Sequence, residues 1–229
     1  MSFTPVDHFR FLFSDVYKDF ALHPGHLADL RKSSLTDETI AQQNIRTVPP
    51  HMIDQLLGFE MPKVMHAYVI PFADPHGGWT DHVRMKVFPS ITTERGTIKY
   101  LQPRQSGVRI YVPLATREAV RYSGEPLYIV EGEKKALSVA QLGLPAVGIC
   151  GIEGWHVAGA TTLHPDLDDV GLVGRTVLVI PDRDWKTNPH VNRAVYRLGD
   201  ALRARGAAPR LVLVPDGYKG IDDYIVANP

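Results

Sequence analysis

Short apolar runs, largely β-branched, recur through the second half of the chain: 127–130, Ala146–Ile149, Thr176–Ile180 and 210–214. Runs of this length without polar alternation fit strands buried on both faces. Between them, 134–142 and 191–205 read as helices. Gly143 and Gly206 stand where a left-handed residue closes a helix. A last short helix is expected near Asp222. Strands alternating with helices predict a parallel sheet flanked by helices, so the expected class is α/β.

The first half reads differently. Residues 1 to about 62 have a helical character. The segment 9–20 is aromatic-rich, 34–40 resembles a helix start with Ser34 as cap and Asp37 three residues on, and 49–58 has proline at its start and glycine at its end. From 66 to 112 the pattern becomes strand-like. It comprises 67–72, a turn cluster at Asp74-Pro75-His76-Gly77-Gly78, an alternating stretch at 82–87, and 109–112. In the alternating stretch Arg84 and Lys86 share a face opposite Val83, Met85 and Val87. The expected organisation is a helical and basic mixed α/β subdomain over 1–120, followed by an α/β domain over 121–229.

With 229 residues and 44% hydrophobic content, the chain can build a large core. Cys150 is the only cysteine, which excludes an internal disulfide or a multi-cysteine zinc module. The start lacks a basic-then-apolar leader, and no apolar run reaches membrane-spanning length; a cytoplasmic location is expected. Net charge is zero, which argues against a general nucleic-acid coat protein. Locally, eight basic residues between Arg84 and Arg121 face only Glu94 and Glu118. This is either a groove that tracks a phosphate backbone or a solvated hairpin surface.

The acids carry the chemistry. Glu131 follows the first buried run and precedes Gly132; Asp182 and Asp184 follow Thr176–Ile180. In a parallel sheet the C-terminal strand ends open on one edge, so three acids from two distant segments are expected at one rim. Two carboxylates one residue apart in an extended segment point the same way, and their repulsion calls for a cation. Clustered oxygen ligands suit Mg²⁺ or Mn²⁺. Glu131 could also act as general acid or base, or merely stabilise a helix start. Asp222 reads as an N-cap with Asp223 beside it. Lys134 and Lys135 open a helix, where a bound phosphate or plain solvent exposure would offset an unfavourable dipole. Gly148, Gly151 and Gly154 read as turn glycines, and His156 and His164 as structural or exposed.

In order and strand placement, Glu131, Asp182 and Asp184 resemble the signature of the Toprim domain, over roughly 125–229. A second resemblance is to the catalytic core of bacterial replicative primases. It rests on Ile70-Pro71, Asp74-Pro75-His76-Gly77, Val83-Arg84 and Lys99-Tyr100-Leu101, then Lys219, Asp222, Asp223 and Tyr224. Gly220 stands where such primases commonly carry another aspartate. The combination is similar to Toprim-like proteins of phage and plasmid replication.

The resemblance implies metal-dependent nucleotidyl transfer, with Glu131, Asp182 and Asp184 holding Mg²⁺ or Mn²⁺. It further implies that Arg84, Lys86, Lys99, Arg109, Lys134 and Lys135 contact nucleic acid or nucleotide, and adds Lys219, Asp222 and Asp223 as further site residues. Implied partners are single-stranded nucleic acid, nucleoside triphosphates and a replicative helicase. A metal-dependent nuclease and a non-catalytic binding module stay open as alternatives.

Overall fold

The computed structural model describes Tyr17 and residues 20–74, 78–94, 96–122 and 124–228. The helical reading of 9–16, the Pro75-His76-Gly77 part of the expected turn and Arg95 lie outside these residues. The chain divides into two compact units, one formed by Met1–Asp29 with Ile40–Gly107 and the other by Leu30–Thr39 with Val108–Pro229.

Helices α1 (Pro24–Arg31) and α2 (Asp37–Gln42) come first. The cap of α2 is Thr36, whose hydroxyl accepts the Thr39 N–H at 3.1 Å. Ser34, expected in that role, has a left-handed φ of 61° and turns its hydroxyl to Ser138, 2.6 Å away. An N-cap needs extended backbone, which explains the shift. Helix α3 (Pro50–Leu57) is bounded as its sequence predicts, with Gly58 left-handed at φ 71°.

The first unit holds a four-stranded antiparallel sheet in the order β1-β2-β3-β4, formed by β1 (Arg46–Val48), β2 (His66–Ala73), β3 (Trp79–Thr93) and β4 (Gly96–Leu101). Its core joins Val48, Val69, Val83, Met85 and Val87 to Met52, Ile53, Leu56 and Leu57 of α3. The alternation read at 82–87 is real: Val83, Met85 and Val87 are buried, while Arg84 and Lys86 lie half-buried on the other face.

The second unit carries α4 (Arg117–Tyr122), β5 (Leu127–Glu131), α5 (Glu133–Ala140), β6 (Ala146–Ile149), β7 (Thr176–Ile180), α6 (Pro189–Ala204), β8 (Ala208–Leu211) and α7 (Ile221–Ala227). The four strands form a parallel sheet ordered β6-β5-β7-β8. Leu127, Ile129, Val147, Ile149, Val177 and Val179 meet Val195, Leu198 and Leu202 of α6 in its core. The stretch 109–112 supplies a single antiparallel bridge, Tyr111 to Gly148 of β6, and not a strand of the first sheet.

Strand order fixes where a site can form. From β5 the chain moves outward to β6, then returns to build β7 on the other side of β5. The sense of winding therefore reverses between β5 and β7. At such a switch point the loops leave in opposite directions and open a crevice beyond the C-terminal strand ends. Glu131 ends β5, and Asp182 lies two residues past β7.

Candidate active site

Glu131 stands at the junction of β5 and α5. Gly132 between them has φ 95°, a conformation that only glycine adopts without strain. The start of α5 then lies close to β6: a Cβ on Gly148 would come 2.9 Å from the Gly132 carbonyl oxygen and 3.2 Å from Ala136 Cβ. Gly148 is thus a close-packing glycine within a strand, not the turn glycine its spacing implied. Gly151, with φ 66°, is a turn glycine.

The Asp182 backbone N–H donates to Glu131 Oε1 at 3.1 Å, joining the two strand ends. Burial pushes the Glu131 carboxyl above its usual range. The hydrogen bond and Lys135 oppose this, while the charges of Asp182 and Asp184 add to it. The Lys135 ammonium, one turn into α5, lies 2.9 Å from Asp182 Oδ1 and donates to Oδ2 at 3.1 Å. Burial alone would lower the lysine, but the charge of Asp182 and its hydrogen bond, then Asp222 and Glu131, outweigh it and hold the group above its ordinary value. Asp182 Oδ1 is buried and makes no hydrogen bond.

Asp184 is placed otherwise than the extended-chain argument required. Asp182 is extended (φ −64°, ψ 160°), but residues Arg183–Lys186 wind into a 3₁₀ turn. The alternation that would aim both carboxylates at one point is therefore absent. The Asp184 carbonyl accepts the Thr187 and Asn188 N–H groups, and its side chain is exposed along an open cleft of about 510 Å³. Asp182, Lys186, Thr187, Asp216 and Lys219 share that lining. Among the described residues, no three His, Cys, Asp or Glu side chains stand ready as a ligand cage.

The adjacent acids of α7 exchange the roles read for them. Gly220 is the N-cap, and Asp223 accepts the Lys219 and Gly220 N–H groups at 3.1 and 3.4 Å. Asp222 is buried instead, near enough for its charge to raise Lys135. A Cβ at Gly220 would meet Lys135 Cε at 2.4 Å, Asp222 Oδ1 at 2.9 Å and Asp182 Oδ1 at 3.1 Å. From the sequence alone, Lys135 is expected beside a phosphate or in solvent. Its link to Asp182 spans 47 residues, beyond any local signal.

The other basic candidates differ in how they are held. Lys86 bonds both Asp29 oxygens, at 2.6 and 2.8 Å. Arg84 lies over the Tyr100 ring, 5.5 Å from its centroid. Lys99 is exposed on β4, and Lys134 is half-buried at the start of α5. Arg109 belongs to the second unit, where its Nε donates to Asp166 at 2.8 Å. His164 is buried and accepts the Asp166 N–H; His156 contacts Glu153 at 3.1 Å.

Glu131 and Asp182 stand at adjacent strand ends, and carboxylate oxygens suit a hard divalent cation. Asp182 and Glu131 would hold it, with Asp184 on the cleft side.

A family model described as a domain of unknown function, DUF3854, matches residues 118–229. No curated protein matches the chain. Among solved structures, the Aquifex aeolicus primase (zinc-binding and RNA polymerase domains) aligns with 99% of this chain at 13% identity and TM-score 0.68. This chain spans 59% of that structure's length. A structure of the DnaG catalytic core aligns over 98% of this chain and 76% of its own, at 18% identity and TM-score 0.63. The E. coli primase catalytic core does so over 98% and 73%, at 18% identity and TM-score 0.58. Across both of its units, this chain has the fold of the primase catalytic cores.

Proposed function

We propose that this chain is a primase-like catalytic core, performing metal-dependent nucleotidyl transfer on nucleic acid within a phage or plasmid replication system. The observation that carries this reading is the junction of Glu131 and Asp182 at the switch point of the sheet, where the Asp182 N–H donates to Glu131 Oε1. The likeness to primase catalytic cores, one of them described by its RNA polymerase domain, supports the same reading.

A bound Mg²⁺ or Mn²⁺ would neutralise phosphate charge as it develops. The chain's own groups do the rest. Asp182 would hold the ion with Asp184 on the cleft side, and Glu131 would complete the site either as a further ligand or as the general acid or base. Lys99, Arg84 and Arg109 hold template or triphosphate by charge, with Lys134 at the helix start. Lys219 lines the cleft. Single-stranded nucleic acid and nucleoside triphosphates are the substrates, and a replicative helicase is the partner.

The test is incubation of the whole chain with Mn²⁺, single-stranded DNA and labelled nucleotides. Products whose composition follows the template establish the proposal. Shortening of a labelled strand without added nucleotides would assign the same acids to hydrolysis.

A further inference from the structure

We propose that Lys135 is a resident cation of the acidic site, its ammonium filling the Asp182–Asp222 side and limiting the site to a single divalent ion. The inference rests on the proposed metal-dependent reading and specifies how many ions the site takes.

Three observations carry it. The ammonium lies 2.9 Å from Asp182 Oδ1 and 3.1 Å from Oδ2, well inside ion-pair distance of both oxygens. Its surroundings are acidic beyond that partner, because Asp222 and Glu131 also act on it. The stem reaches this position only because residue 220 has no side chain, since a Cβ there would overlap Lys135 Cε at 2.4 Å. Gly220 is extended at φ −143°, so neither a turn nor a left-handed backbone requires glycine. Its use is to make room. The lysine and the glycine lie 85 positions apart in sequence yet form one device, a positive charge and the space that admits it.

A fixed charge at this place has a clear electrostatic effect. It offsets the mutual repulsion of Asp182, Asp222 and Glu131 when no metal is bound, so the site stays assembled. It also lowers the attraction of a second divalent ion to the same carboxylates. Asp182, both of whose oxygens face the ammonium, would be the carboxylate for which the two cations compete.

Mn²⁺ titration of the whole chain, read by electron paramagnetic resonance of the free ion, tests this without any assay of turnover. The unaltered protein is expected to bind one Mn²⁺. In Lys135→Ala, removal of one charge about 6 Å away should tighten binding about tenfold or admit a second ion. Without metal, this variant should melt below the parent, and Mn²⁺ should restore it. Gly220→Ala is the second variant, which keeps the charge in the chain but pushes the stem aside. It should change Mn²⁺ binding in the same direction, and it serves if Lys135→Ala does not fold. If the parent binds Mn²⁺ and both variants match it in number and affinity, the resident-cation role is wrong while the metal reading stands. If neither parent nor variants bind Mn²⁺, both fall together.

Discussion

Each unit contains a half-buried lysine–aspartate pair, and the two pairs are built differently. In the first unit the Lys86 ammonium spans both oxygens of Asp29, and the Tyr68 hydroxyl donates to one of them at 2.9 Å. In the second unit the Lys135 ammonium also lies within 3.1 Å of both Asp182 oxygens, but two further acids, Asp222 and Glu131, act on the lysine. The first pair is saturated, with one charge for one charge and a neutral donor added. The second has more negative charge than it neutralises. A saturated pair holds a fold together; an unsaturated one at the mouth of a crevice keeps its remaining capacity for a ligand.

Neutralising one member of each pair should separate these roles. Asp182→Asn should reduce nucleotide incorporation by about a thousandfold, the scale of losing a main electrostatic stabiliser. It relieves repulsion among acids, so stability should stay within about 1 kcal/mol of the parent. A large stability loss with turnover intact would make Asp182 the structural member instead. For Asp29→Ala the order inverts. It leaves half-buried Lys86 without its partner, at a cost of about 2 kcal/mol in urea denaturation, while Mn²⁺ binding is unaltered. A cost near zero would place the Lys86–Asp29 pair among ordinary surface bridges.

Smaller effects sharpen the contrast within the second unit. Asp223→Ala removes the cap of α7 and should cost about 1 kcal/mol. Asp222→Asn should spare the helix and act on the Lys135 environment. Equal helix losses from both would undo the exchange of roles seen for these acids.

Glu131 gives a dependence on pH. Its folded proton affinity is raised by burial, so the native state binds more protons than the unfolded one. Stability should fall as pH rises from the ordinary glutamate range through the raised folded value. Glu131→Gln should flatten that fall, and an unchanged profile would show that the carboxyl is as well solvated as in the unfolded chain. The smallest effect concerns salt. Replacing exposed Lys99 should lower the salt slope of single-strand binding by about 0.7. Replacing Lys86, already neutralised by Asp29, should leave it unchanged. Equal changes from both would place Lys86 on the binding surface after all.

What was legible in the sequence follows the range of each interaction. The strands β5, β6 and β7 are buried on both faces, so an unbroken apolar run marks them almost to the residue. Strand β8 was expected at 210–214 but is Ala208–Leu211. As an edge strand it is mostly exposed, so apolar content does not mark it. Its last rung is the Val212 N–H to Val179, after which the apolar run continues outside the sheet. The places of Glu131 and Asp182 at the C-terminal ends of β5 and β7 are legible because a buried apolar run precedes each. The direction of the Asp184 side chain is not, because a 3₁₀ turn replaces the extended chain that alternation assumes. Asp222 and Asp223 are adjacent acids, and only the phase of the helix tells which one caps it. Partners such as Lys86 with Asp29 and Lys135 with Asp182 meet across 57 and 47 residues, and no local pattern announces them.

The assignment of Leu30–Thr39 to the second unit bears on where that unit can be cut. This segment gives α5 several of its polar neighbours. Gln141 donates to the Ser34 carbonyl at 2.7 Å and accepts from the Thr39 hydroxyl at 3.2 Å, beside the Ser34–Ser138 contact. The stretch 118–229 that matches a family model therefore omits part of the physical body to which it belongs. Excised as a cassette, that stretch would carry every acid of the site yet lose contacts near the end of the helix that bears Lys135. The region of detectable kinship is thus smaller than the compact body in which it sits.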